Sequence, residues 1–338
     1  MSKKFMERII GREELIRVIE GLLGNFQVVG PRELPGKGVF YQPMKNARDI
    51  YLGGGFTIEP VKKFFLSPSE CFFEQKRNES GEFLEEAPLA GDKRIIIGAR
   101  SCEARGLTLL DKVFDSDYKD SFYINNRKRT TLIGISCDSP DKDCFCTSMG
   151  GSPTEGRGMD ALIFEIGDQF IIEVISDKGS DIFGSAGSEL NEEQKKLWES
   201  DKKKRKEALS RKVAVPDGLD KAFGSPYWER ASSACLSCGV CTYLCPTCHC
   251  FDLVDEERKR LRCYDGCAFA DFTLHASGEN PRPTKKERYR QRAYHKFDYF
   301  KKNFGENLCV GCGRCIRHCP VKIDIADIVA NAPLDKES

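Results

Sequence analysis

The chain has 338 residues, and its 53 Lys and Arg stand against 52 Asp and Glu, a formal charge of +1 at pH 7. That length suits about two domains at roughly 150 residues each, and the near-neutral balance gives no global electrostatic reason to expect a nucleic-acid or membrane-surface partner. The opening MSKKFMERII has no apolar h-region or small-residue cleavage site and no later run reaches the ~18 apolar residues of a membrane span, so the expectation is a soluble, cytoplasmic protein whose 17 cysteines hold metal rather than disulfides.

Up to about Asp181, short β-rich runs alternate with amphipathic stretches, the pattern of a mixed α/β domain. The spacing predicts a helix over Arg12–Leu23, then strands over residues 61–66, 94–98 (RIIIG) and 131–136 (TLIGIS). A helix over residues 102–113 would bury one face through Leu107, Leu109 and Leu110. Strands over residues 161–166 and 169–175 flank Gly167-Asp168, a two-residue hairpin signal. Residues 191–212 are very highly charged and read as an exposed helix or linker, with Pro216-Asp217-Gly218 as a boundary. The expected class is therefore α+β: an N-terminal mixed α/β domain over 1–190, a charged linker over 191–218, and a mostly helical ferredoxin domain over 219–338 that carries twelve of the cysteines.

Two segments of that last domain read C-x2-C-x2-C-x3-C-P: Cys235, Cys238, Cys241, Cys245 with Pro246, and Cys309, Cys312, Cys315, Cys319 with Pro320. This is the bacterial ferredoxin run, in which the fourth cysteine of each motif serves the other cluster. One [4Fe–4S] cluster would then take Cys235, Cys238, Cys241 and Cys319, and the other Cys309, Cys312, Cys315 and Cys245. Glycine follows Cys238 and Cys312, where a missing side chain lets the backbone pass close to a cluster. Zinc also accepts four thiolates, but zinc sites seldom use this spacing, still less twice.

More than sixty residues separate the motifs, which points to a larger, helix-rich ferredoxin architecture. Within them, residues 282–302 mix basic and aromatic side chains, a composition that single-stranded nucleic acid would tolerate. Tyr289, Ala293, Lys296, Phe297 and Phe300 fall at helical spacing, however, so a packed aromatic face with a solvated basic face accounts for it better. Basic side chains near anionic clusters would also raise their potentials. Cys248, Cys250, Cys263 and Cys267 exceed what two clusters require, and are either further ligands or ordinary buried thiols. His249 and His275 read as hydrogen-bonded packing residues, and Cys71 as structural.

The N-terminal domain has a group of its own: Cys102 after one strand, Cys137 after the next, then Cys144 and Cys146 in the following loop. Four thiols at one sheet edge would complete a cubane set, and composition alone leaves this open against simple burial. Neither GxGxxG nor GxxxxGK[ST] occurs, the glycines at 53–55 and 150–158 lack a strand-to-helix context, and there is no Ser-His-Asp or HExxH signature.

Over nearly its whole length the chain resembles the iron–sulfur beta subunit of cytoplasmic sulfhydrogenases and the A subunit of anaerobic sulfite reductase. The resemblance lies in KKFFL (62–66), IIIGARSCE (95–103), CFC followed by SMG (144–150), CLSCGVCTYLCPTCHC (235–250), and RPTKKERYRQR running on to CVGCGRC and HCP. It implies an electron-transfer subunit of anaerobic metabolism, relaying single electrons between a flavin NAD(P)H-oxidoreductase subunit and a catalytic subunit of hydrogenase or sulfite reductase type. It also implies a third [4Fe–4S] cluster on Cys102, Cys137, Cys144 and Cys146. Cys263 does not match these relatives. The alternatives are a chain that itself acts on a sulfur compound at the N-terminal cluster, and a zinc-stabilised binding module; membrane and nucleic-acid partners are not expected.

Overall fold

The computed structural model describes residues 6–53 and 56–334, so Gly54 and Gly55 of the 53–55 glycine run lie outside the described residues. Two packing units emerge. The first comprises the described residues up to Val61, Ala90–Lys212 and the tripeptide Val310–Cys312; the second comprises Lys62–Leu89, Val213–Cys309 and the described residues from Gly313 onward.

The first unit is built on an eight-stranded mixed sheet. Its centre is parallel, with strands Gln27–Leu34, Arg94–Ala99, Thr130–Ile135 and Ala161–Ile166 side by side. Antiparallel neighbours, among them Gln169–Val174 and Met6–Gly11, extend it. The hairpin forms where Gly167 and Asp168 predict it: Ile166 pairs with Gln169, and Gly167 takes φ +58. Alternate residues of the central strands (Ile95 and Ile97, Ile133 and Ile135, Ala161 and Ile163) join Leu15 and Ile19 of helix Arg12–Leu23 in one apolar core. Burying each such aliphatic side chain contributes about 1.5–3 kcal/mol. The intervening residues Ile96, Leu132, Leu162 and Phe164 are buried as well, as expected for a parallel sheet covered on both faces. The charged segment forms helix Glu192–Glu207, capped by Asn191 and Gln194. It is anchored on the sheet rather than free. Trp198 is buried edge-on to Phe164 at 5.3 Å, and Arg205 donates to the carbonyl of Glu165 at 2.6 Å.

The expected strand at 61–66 is instead a single 3-10 turn, Val61–Phe64, followed by the buried Phe65 and Leu66. Phe65 and Leu66 both donate backbone N–H groups to the carbonyl of Lys62, which curls the run before it can pair with a neighbour.

The second unit contains more than helices. A four-stranded antiparallel sheet joins Ser69–Asn78 and Gly81–Glu86 to the hairpin Phe251–Glu256 and Lys259–Tyr264, which lies between the two cysteine runs. Around it, helix Lys285–Tyr294 starts at a capping box of Thr284 and Glu287 and runs through a turn of π-helix, His295–Tyr299, into Phe300–Phe304. Trp228 is fully buried edge-on to Tyr294 at 5.4 Å, and its indole N–H donates to Ala222 O at 2.7 Å. Among the described residues, no helix is long and apolar enough to cross a membrane.

Candidate metal centres

In the first unit, strands Arg94–Ala99 and Thr130–Ile135 are parallel neighbours, so both deliver their carboxyl ends to the same sheet edge, the usual position of a binding crevice in such sheets. Cys102 follows the first strand, in the opening turn of helix Ser101–Phe114, and Cys137 follows the second. Arg100 clamps the two ends, donating to Ser136 O at 2.8 Å and to Gly53 O at 2.7 Å. The fully buried Glu103 holds the helix start by accepting from the backbone N–H of Arg100 (2.9 Å) and of Val61 (3.1 Å) and from the Tyr41 hydroxyl (2.9 Å).

The following loop brings in the remaining thiols. Pro153 O accepts from Cys137 N at 3.0 Å and from Ser101 Oγ at 3.2 Å, and Phe145 N–H donates to Gly311 O at 2.8 Å. Gly311, at φ +66, admits no side chain, because a Cβ would stand 2.6 Å from the Phe145 carbonyl carbon. As a result Cys102, Cys137, Cys144 and Cys146 line one cavity, together with Phe56, Pro140, Pro153 and Cys312. Burial, with Cys137 close by, pushes the Cys146 thiol up to about 12.

In the second unit the first cysteine run wraps a cavity lined by Cys235, Cys238, Cys241, Cys315 and Cys319 with Tyr289 and Arg292. Backbone N–H groups face sulfur here: Ser237 N donates to Cys235 Sγ at 3.4 Å and Ile323 N to Cys319 Sγ at 3.3 Å. The glycines after Cys238 and Cys312 are needed for conformation, since Gly239 (φ +74) and Gly313 (φ +69) both take left-handed backbone at the start of a one-turn helix. Those helices, Val240–Tyr243 and Arg314–Arg317, carry the chain toward Cys245 and Cys319, each followed by proline. Of the other expected set, Cys245, Cys309 and Cys315 belong to the second unit and Cys312 to the first.

The basic face expected to be solvated is in part buried. Arg288, Arg292 and Lys296 are all inside, next to the packed Tyr289, Ala293, Phe297 and Phe300. Arg288 donates to the carbonyls of Arg282 and Pro283, whereas for Arg292 and Lys296 the reason is the cysteine sulfur around them. Arg292 Nη1 donates to Cys248 Sγ at 3.3 Å, and Lys296 Nζ donates to Thr247 Oγ1 at 3.0 Å, whose oxygen also lies 3.3 Å from Cys245 Sγ. Burial would drive Lys296 neutral, yet the Cys245 and Cys248 sulfurs outweigh it and raise its pKa. Lys62, from KKFFL, is a further buried cation, donating to Cys248 O at 2.7 Å over the Tyr264 ring; burial lowers its pKa. Lys62, Thr247, Arg292 and Lys296 were not legible as site residues, because nothing in chain order shows which thiols a lysine or arginine will meet.

The extra cysteines differ in their surroundings. A hydrogen bond from Cys248 lowers the Cys245 pKa, leaving Cys248 as the protonated member of the pair. Burial pushes Cys267 up to about 11, and it lies near Cys250 and Cys241. Cys263 stands on the sheet, 3.7 Å from Ser69 Oγ, and Cys71 on the strand beside it, donating to Phe73 O. Half-buried His249 packs edge-on to His295 at 5.3 Å, with Nδ1 2.9 Å from Thr247 O, and desolvation pushes its pKa down to about 4.

Among the described residues, no three His, Cys, Asp or Glu side chains converge on a point where a single ion could sit, whereas zinc needs four ligands at about 2.0–2.3 Å from one centre. The thiols ring open volumes instead. That arrangement suits a cubane, whose irons sit at separate corners and take one thiolate each. Two buried polar atoms of the first-run lining, Tyr289 Oη and Arg292 Nη2, have no protein partner, as fits a cavity meant for an anionic guest.

These features define an iron–sulfur protein of the [4Fe–4S] type, and a 4Fe-4S dicluster domain matches residues 234–323. The chain is 38% identical over 297 residues to Sulfhydrogenase 2 subunit beta of Pyrococcus furiosus, covering 84% of this chain and 86% of that relative. It belongs to the sulfhydrogenase subunit beta family. No solved structure matches it.

Proposed function

We propose that this chain is a cytoplasmic electron-transfer subunit holding three [4Fe–4S] clusters, which relays single electrons between a flavin NAD(P)H-oxidoreductase subunit and a catalytic subunit of hydrogenase or sulfite reductase type. The observation that carries the reading is the presence of two separate cysteine-lined cavities, one at the sheet edge and one at the first ferredoxin run. In the first, Cys102, Cys137, Cys144 and Cys146 would be the ligands. In the second they would be Cys235, Cys238, Cys241 and Cys319, leaving Cys309, Cys312, Cys315 and Cys245 for the third cluster. Bound clusters supply one-electron redox chemistry.

The chain's own residues hold the thiols in place, exclude water through Phe56, Pro140 and Pro153 at the sheet edge, and set the local charge. Four thiols at that edge leave no iron open to a substrate, which favours relay over catalysis. The sequence has no nucleotide fingerprint, and a hydride must be divided into single electrons at a flavin before clusters can accept it. The relative is named as a subunit, which fits a chain that works beside others.

The test is an anaerobic titration of the purified chain, followed at the visible cluster absorbance. Dithionite should bleach it. NADH and NADPH should not do so until the flavin subunit is added. Bleaching by nicotinamide alone, in a flavin-free preparation, would mean that the chain is itself catalytic.

A further inference from the structure

Arg292 is 5% exposed and lies in the wall of the first-run cavity. One guanidinium nitrogen, Nη1, donates to Cys248 Sγ at 3.3 Å, while Nη2, equally buried, meets no protein acceptor. A buried donor left unmatched costs about 1–3 kcal/mol, and more on a charged group. The same wall holds a second unmatched polar atom, the hydroxyl of buried Tyr289, one helical turn earlier. Two such groups on one face of one helix, both lining a cavity ringed by five cysteines, call for an anionic partner that accepts hydrogen bonds.

Arginine keeps its charge at any accessible pH. Burial opposes the charge here, but the sulfurs of Cys241, Cys248, Cys315 and Cys245 more than offset it. Arg292 thus stands among cysteines of both ferredoxin runs within the second unit. Adding an electron to a cluster adds one negative charge, and a fixed cation beside it stabilises the reduced state more than the oxidised one. Cys248 fits the complementary part. Its sulfur accepts from Arg292 and its carbonyl accepts from Lys62, so it lies between two buried cations.

From this geometry we infer that Arg292 sets the reduction potential of the cluster held by the first-run cavity, and that Cys248 anchors its guanidinium without ligating iron. The inference rests on the cluster reading above. Iron, acid-labile sulfide and reducible absorbance in the native full-length chain test that reading by themselves, and the variants then test Arg292.

The experiment is an anaerobic redox titration of the full chain followed by EPR, with iron analysis, on Arg292→Gln, Arg292→Lys and Cys248→Ala. Arg292→Gln should retain its iron and lower the reduced-to-oxidised ratio of one cluster at least about tenfold at a fixed potential, a shift of about 59 mV for a one-electron couple. Arg292→Lys, which keeps the charge, should stay within about threefold of native. Cys248→Ala should keep the native iron content. An Arg292→Gln variant without its cluster beside a loaded, near-native Arg292→Lys would equally assign the role to charge. The inference is overturned if Arg292→Gln titrates like the native chain, if Lys shifts the ratio as far as Gln, if both Arg292 variants lose iron, or if Cys248→Ala loses a cluster's worth of it.

Discussion

The two thiol cavities reach similar donor sets by opposite routes. At the sheet edge, Cys102 and Cys137 are neighbours because two parallel strands end side by side, and the loop adds Cys144 and Cys146. In the first ferredoxin run, Cys235, Cys238 and Cys241 are neighbours because the chain itself places them so, and Cys315 and Cys319 come from far away. The linings differ as well. The sheet-edge cavity is walled by Phe56, Pro140, Pro153 and small polar groups, with no charged side chain among its lining residues. The first-run cavity has Arg292 in its wall. Topology thus builds an apolar thiol site and local spacing builds a cation-backed one, so equal donor sets need not give equal potentials.

The largest expected effect comes from removing one thiol from each cavity. Cys137→Ala and Cys319→Ala should each lower the iron content from about twelve atoms to about eight, four per cluster. The two losses should be independent: Cys137→Ala should spare the EPR signals of the ferredoxin runs, and Cys319→Ala should spare the sheet-edge signal while removing the cluster of Cys235, Cys238 and Cys241. If Cys319→Ala instead damages the cluster of Cys309, Cys312 and Cys315, the fourth cysteines serve their own motifs and the exchanged assignment fails.

A smaller effect should separate the cavities by how each is held. Glu103 is fully buried and accepts from Tyr41 and from the backbone N–H groups of Val61 and Arg100, all at the sheet edge. Glu103→Gln keeps the shape, but it removes the charge and sets an amide donor against donors. Hydrogen bonds to a charged group contribute about 1.5–3 kcal/mol each, so a destabilisation of about 2–3 kcal/mol is expected, read from the denaturant midpoint. Iron should be lost more readily from the sheet-edge site, with the first-run signal intact. Equal losses at both sites would show that the two are not held independently.

These contrasts also explain what chain order discloses. The helix at Arg12–Leu23 and the turn at Gly167-Asp168 form as predicted because their signals are local. The pairing of Ser69–Asn78 with Lys259–Tyr264 is not legible, since β-pairing across such a separation depends on partners rather than on either strand alone. Residues 61–66 look like a strand by composition, yet two N–H groups fold back onto the Lys62 carbonyl and the lysine side chain turns inward. The basic face of residues 282–302 reads as solvated, since burying a charge is costly, yet Arg292 on it is buried, as is Lys296. What reverses that cost is sulfur contributed by Cys241, Cys245 and Cys248, more than forty residues away along the chain.

The smallest expected effect concerns the cysteines outside both cavities, and it tests whether placement rather than cysteine content defines the sites. Cys263 lies in strand Lys259–Tyr264 opposite Ser69, with its sulfur 3.7 Å from the Ser69 hydroxyl, a weak contact. Its neighbour Arg262 is the residue that ties this part of the sheet down, buried in an ion pair with Glu70 and stacked 4.7 Å from the centre of the Phe72 ring. Cys263→Ala leaves that pair untouched, and Cys71→Ser likewise spares the backbone ladder. Both should keep the native iron content and EPR spectrum, with stability changed by no more than about 0.5 kcal/mol, the usual range for sites away from the core. Iron analysis and a denaturant titration settle it. A loss of iron from Cys263→Ala would make it a ligand and would join the sheet of the second unit to the metal chemistry, against its position beside a serine.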